Sequence, residues 1–234
     1  MLAGLALAFG SAAARADLSY DDDVTPELRT QLAQDVAFVT SIEGASASDN
    51  YRAIFGTSKL DGASLMKFFE ERITGFGLDE CGGGPAVAAC VQPFLDSHKM
   101  WITPNYIRFN APQLYRLSVI FHESRHTEDE HGNYPHATCP TPYRDEAGND
   151  IKGILSGTLM AGKPACDTTI LGAYGLQATL LKNVQLNCAT CTEKVKADGE
   201  LFGNDTVMRI SNVPQRNKLR KDLGIKVPDF SDEE

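Results

Sequence analysis

The 234-residue sequence predicts an α+β fold, predominantly helical with a small strand component. Apolar residues recur at three- and four-residue steps in several capped segments, which is the helical period. One stretch, Met100 to Phe109, is instead aromatic and β-branched and reads as extended. Hydrophobic residues make up 42% of the chain and charged residues 23%, a mix able to fill one core, so a wholly disordered chain is excluded. A single domain over residues 17–234 is expected at this length.

The elements follow in order. Leu2 to Phe9 is a short apolar run, and Ala14-Arg15-Ala16 supplies small residues for cleavage before Asp17, so residues 1–16 read as a signal peptide. No Lys or Arg precedes that run. An acidic, solvated leader is expected up to Val24. Thr25-Pro26-Glu27 then offers an N-cap, an N1 proline and an early acid, opening a helix over 26–43 with Leu28, Leu32, Val36, Val39 and Ile42 on one face. After a Gly/Ala/Ser loop, Asp61 caps a second helix carrying Leu65, Phe68, Phe69, Ile73 and Phe76, which Gly75 and Gly77 end. Residues 81–90 form a Gly-rich loop bracketed by cysteines. Pro104 cannot donate to a ladder, so the segment 100–109 is expected as an edge or bent strand. Asn110 caps the next helix, with Pro112 in its first turn and its end near Thr127. A polar loop of about forty residues follows, long enough to be functional or covered. Asp167 opens a helix through Leu186, and Thr192 to Ile210 holds another that Gly199 and Gly203 interrupt. The tail Ser231 to Glu234 is acidic and expected to be loose.

The net charge of −9 (pI ≈ 5.1) argues against nucleic acid as a partner, since phosphate binding needs a basic footprint. No apolar run reaches the roughly 18 residues of a membrane span, so stable membrane insertion is not expected. Six cysteines in an exported chain suggest a disulfide framework. Of the roughly 15 possible pairings, the spacing favours Cys81–Cys90, Cys139–Cys166 and Cys188–Cys191. Read differently, Cys188 and Cys191 form a C-x-x-C redox motif, but no second pair completes a zinc knuckle.

The stretch that carries chemistry is His122-Glu123-Ser124-Arg125-His126, an H-E-x-x-H on the helix after the extended segment. Residues i and i+4 lie one above the other on a helix, so His122 and His126 can aim at one zinc ion. Glu123 is rotated about 100° from His122 and can act as base toward a water on the metal. The plainer alternative is a pair of surface histidines beside a charged neighbour.

The motif, its extended approach and the exported context resemble the zincin metallopeptidases. The likeness covers the motif helix, its approach and residues 166–175. It implies a zincin-like fold, with the strands packed near the motif helix, Zn2+ as cofactor and a peptide or protein as substrate. Within zincins the third ligand separates the branches. The metzincin pattern fits badly, because position 129 is Asp and His131 falls one residue early. A gluzincin would use Glu193 or Glu200, which carry no clear motif. Asp167 with Tyr174-Gly175 is weakly similar to the aspzincin pattern, although Asp167 stands seven residues before Tyr174 instead of three. Asp167 is therefore the expected third ligand, with helix capping as its equal alternative. His136 is the second choice, ahead of His131, because Cys139 stands three residues later. Tyr174 is expected to hydrogen-bond the developing oxyanion or to be a core tyrosine. Arg125 either orients carboxylates near the site or makes a surface ion pair, and His98 has no expected role.

The expected function is an exported (periplasmic or secreted) zinc metallopeptidase, with segment 100–109 offering an edge to an extended peptide. The alternatives are a zinc amidase acting on cell-wall peptides, a disulfide-stapled binding protein without turnover and, more distantly, a thiol–disulfide oxidoreductase.

Overall fold

Thr25 starts the first helix as its neighbours predict, its side chain accepting from the Leu28 amide with Pro26 at the first helical position. Helix α1 (Pro26–Phe38) ends in a single 3-10 turn at Val39–Ser41 and buries Leu28, Leu32, Val36 and Val39. The computed structural model describes residues 18–44, 48–57, 59–82, 84 and 86–227; the expected signal peptide and the acidic tail lie outside them. A short helix, α2 (Asp49–Phe55), follows, capped by Ser48. Asp61 caps α3 (Gly62–Glu70) as expected, but that helix stops before Phe76. Gly75 and Gly77 belong instead to a strand, β2 (Gly75–Leu78). A side chain at either position would collide with Ser19 or Asp21 of the neighbouring segment. The expected acidic leader thus contributes β1 (Ser19–Tyr20), and Val24 is buried.

The main sheet has the order β1-β2-β4-β3. Strand β4 (Asp96–Ile102) pairs parallel with β2 on one side and antiparallel with β3 (Ala89–Gln92) on the other. This corrects the expected edge strand over 100–109. Strand β4 is internal, and Pro104, which cannot donate to a ladder, opens a short helix, α4 (Pro104–Arg108), capped by Thr103. The two edge strands are β1 and β3, and β3 is tied to the loop after β2 by the Cys81–Cys90 disulfide.

Helix α5 (Gln113–Arg125) carries the H-E-x-x-H motif and is buried along its whole second half, from Leu117 to Arg125. Phe121 packs against Phe68 and Phe69 of α3, which fixes its rotation about its axis. Its other side meets α6 (Ala173–Asn187), which pairs in turn with α7 (Glu193–Val207). Gly199 and Gly203 do not interrupt α7. They allow it close to α6, since a Cβ on Gly199 would lie 2.8 Å from the Leu181 carbonyl oxygen. Helix α8 (Val213–Asp222) closes the described chain.

The long polar segment between α5 and α6 has its own small core of Tyr143, Ile151, Met160 and the Cys139–Cys166 bridge. Its two short strands, β5 (Ala137–Thr138) and β6 (Pro164–Cys166), pair antiparallel with Ala137 opposite Cys166. The Cys188–Cys191 pair is also bridged, so all three expected disulfides are present. Such a set belongs to an oxidising compartment. No described helix is long and apolar enough to cross a membrane.

Candidate metal centre

Helical geometry alone sets the first two imidazoles. His122 lies in the last turn of α5 and His126 is its C-cap residue, with ring centroids 5.2 Å apart. The third comes from the chain beyond the helix. Glu128, buried, receives Arg125 through both carboxylate oxygens at 2.6 and 2.8 Å and also binds Arg72 at 2.9 Å. Arg125 therefore makes no surface ion pair. It is 2% exposed and also donates to the Leu171 carbonyl and the Tyr134 hydroxyl. That clamp holds a reversal in which Gly132, Asn133 and Tyr134 all take positive φ. For Tyr134 this conformation is costly, and Arg125, 4.2 Å over its ring, helps to hold it. The reversed chain delivers His136 to the two helical histidines.

The three side chains converge, with one ligand nitrogen from each lying within 4.8 Å of the others. His122 Nε2 and His136 Nε2 are 3.1 Å apart. Each ring turns its other nitrogen to an oxygen. His126 Nδ1 meets the Asn133 carbonyl at 2.9 Å, and His136 Nδ1 meets Asp167 Oδ1 at 2.9 Å. His122 Nδ1 meets Gln177 Oε1 at 3.1 Å. Gln177 is oriented by giving its amide N–H to Ser118 Oγ, whose own proton goes to the Tyr115 carbonyl. All three oxygens can only accept, so every Nδ1 carries a proton and donates it outward. Burial, with the neighbouring imidazoles adding, holds His122 well below its ordinary pKa and pushes His126 down to about 4. Three converging imidazoles, each with its outer nitrogen held by an oxygen, are a group that could hold a metal ion with outer partners already in place. The residues fit a bound metal ion.

Asp167 stands one layer behind this centre, so His136, the second choice of the sequence, occupies the third corner. The helix expected to open at Asp167 begins six residues later, at Ala173. A parallel bridge to Ile210 fixes the Asp167 backbone, leaving its carboxylate to serve two groups. Oδ1 accepts from His136 and Oδ2 accepts from the Tyr174 amide at 2.8 Å, capping α6 from a distance. This approach needs Gly172, because a Cβ there would sit 2.4 Å from Oδ2. Tyr174 stacks on His136 at 4.7 Å and meets His122 edge-on at 4.5 Å. Burial raises its phenol well above the ordinary value, so it remains a donor.

Glu123 Oε1 lies 4.0 Å from His122 Nε2, and its carboxylate also receives the Val91 amide of β3. Burial pushes its pKa up to about 8. A cleft of about 460 Å³ opens over these groups, walled by β3 on one side and by Gly153 to Ser156 of the long segment on another. His131 is half-exposed and pairs with Glu128, while His98 contacts the Arg72 carbonyl away from the cleft. Glu193 and Glu200 lie on exposed positions of α7. Gln177, the Asn133 carbonyl and Arg209 were not foreseen. Only the disulfide pairing held a signal for part of the set, since it brings the neighbourhoods of His136 and Asp167 together.

No family model matches the chain, and no curated protein or solved structure does either.

Proposed function

We propose that the protein is an exported zinc-dependent metallopeptidase, with the metal held by His122, His126 and His136. The observation that supports this most is the convergence of three imidazoles, one nitrogen of each within 4.8 Å of the others and the other nitrogen of each held by an oxygen. Three imidazoles with an open position suit catalytic zinc. Zinc bound there would polarise the scissile carbonyl and acidify a water molecule.

The chain's own groups supply the rest. Glu123 takes the proton from the attacking water and returns it to the leaving amine, a task suited to a carboxyl tuned near neutrality. Tyr174 donates its hydroxyl proton toward the oxyanion. Asp167, Gln177 and the Asn133 carbonyl hold the three rings in register. Strand β3, paired only with β4 among the described strands, offers its free edge to an extended peptide. The disulfides suit an exported protein.

Elemental analysis should find one zinc per chain. Glu123→Gln should keep that zinc while turnover of a peptide substrate falls roughly 100- to 10,000-fold. Unchanged turnover removes the assigned base, and less than one zinc after supplementation returns the protein to a stapled binding module. Casein, short peptides and cell-wall fragments, assayed side by side, separate peptidase from wall amidase.

A further inference from the structure

Two charged groups line the cleft and take no part in the chemistry above, Arg209 and its neighbour Asp205. Arg209 follows α7, and its carbonyl accepts from the Asp167 amide, which ties it to the support of the centre. The residue is 8% exposed, and its guanidinium lies over the Tyr174 ring at 5.5 Å. That ring also stacks on His136, so the cation stands one aromatic ring beyond the imidazoles.

The guanidinium is poorly matched by the protein. One terminal nitrogen meets the thioether of Met160, a weak acceptor. Nε is buried without a partner among the described residues. The nearest carboxylate oxygen, Asp205 Oδ2, is 3.7 Å away, beyond hydrogen-bond distance. Arg72, Arg116 and Arg125, by contrast, each bind a carboxylate at 2.6–2.9 Å. A buried fork of N–H donors left this open is complementary to a planar anion with two oxygens, that is, another carboxylate.

We propose that Arg209 determines specificity by binding a substrate carboxylate on the residue next to the scissile bond. The inference rests on the peptidase reading. The carboxylate belongs either to an acidic side chain or to the substrate's C-terminus.

Calorimetric binding to the Glu123→Gln protein, which does not consume the peptide, tests this. One arm compares a short alanine peptide carrying a central glutamate with its glutamine twin, both ends blocked. The other compares a peptide with a free C-terminal carboxylate with its amide. The carboxylate member of at least one pair should bind about 10- to 100-fold tighter, as for hydrogen bonds to a charged group. The arm that responds identifies the source. Adding Arg209→Met should collapse the ratio to near one, and Arg209→Lys, which keeps the charge without the fork, should leave an intermediate ratio in a milder variant. Equal or undetectable binding of both members in both arms overturns the proposal without any variant, as does a ratio that survives Arg209→Met. Failure of the peptidase reading shows elsewhere, as absent turnover by the wild-type protein with the carboxylate preference intact.

Discussion

Asp167 shows how one carboxylate can support a candidate metal centre without being one of its ligands. Its two oxygens divide between His136 Nδ1 and the Tyr174 amide, so it sets the direction of an imidazole and the start of a helix together. His136→Ala removes a donor and should abolish stoichiometric zinc binding. Asp167→Ala leaves all three donors but frees the ring of His136, and zinc affinity should fall about 10- to 100-fold, as for other outer partners of metal ligands. Gly172→Ala should reproduce much of that loss, because its methyl would occupy the place of Oδ2. Competition with a chromophoric chelator measures all three. Equal affinity in Asp167→Ala and wild type would show that the carboxylate only caps α6.

At the scale of elements, the site is a junction between one helix and one stapled hairpin. Helix α5 brings His122, Glu123 and His126, and the packing of Phe121 against α3 holds it against rotation. The β5–β6 pair brings the other half: Ala137 faces Cys166, so His136 and Asp167 flank the same rung, and the Cys139–Cys166 bridge locks it. Replacing both cysteines with serine should cost about 2–5 kcal/mol in urea unfolding. It should also weaken zinc binding, since His136 is no longer held by the hairpin. Stability lost with zinc affinity unchanged would separate the hairpin from the centre. Helices α6 and α7 act at one remove: Gly199 and Gly203 let them pack closely, and α6 carries Tyr174 and Gln177 to the imidazoles.

For the whole molecule, a metal held between α5 and the chain that returns to it would stabilise the folded state alone. At a thousandfold excess over its dissociation constant a ligand adds about 4 kcal/mol. Chelation should therefore lower the melting temperature on the order of 10 °C, and zinc should restore it. A melting curve indifferent to chelator and to added zinc would argue against occupancy of the centre. Burial at this scale also explains Arg125. On a sequence it reads as a helix-surface charge, yet Ile54 of α2, Leu171 and Tyr134 close around it, and it survives there because it shares the Glu128 carboxylate with Arg72.

The sequence by itself determined what is local. Thr25, Asp61 and Thr192 start their helices with their own side chains. The four-residue spacing of His122 and His126 places them on one face, and the order of the cysteines along the chain made the three bridges readable as pairs of neighbours. Tertiary structure alone decided what depends on distant chain meeting. Gly75 and Gly77 became strand because Ser19 and Asp21 pack beside them, and β4 became internal because β3 folds back on it. His136 rather than Asp167 reached the centre because a reversal at residues 132–134, clamped by Arg125 and Glu128, aims it there. The period of a helix is written in consecutive residues, whereas the place of a third ligand is the outcome of a packing contest among segments far apart in the chain, and no spacing rule encodes that.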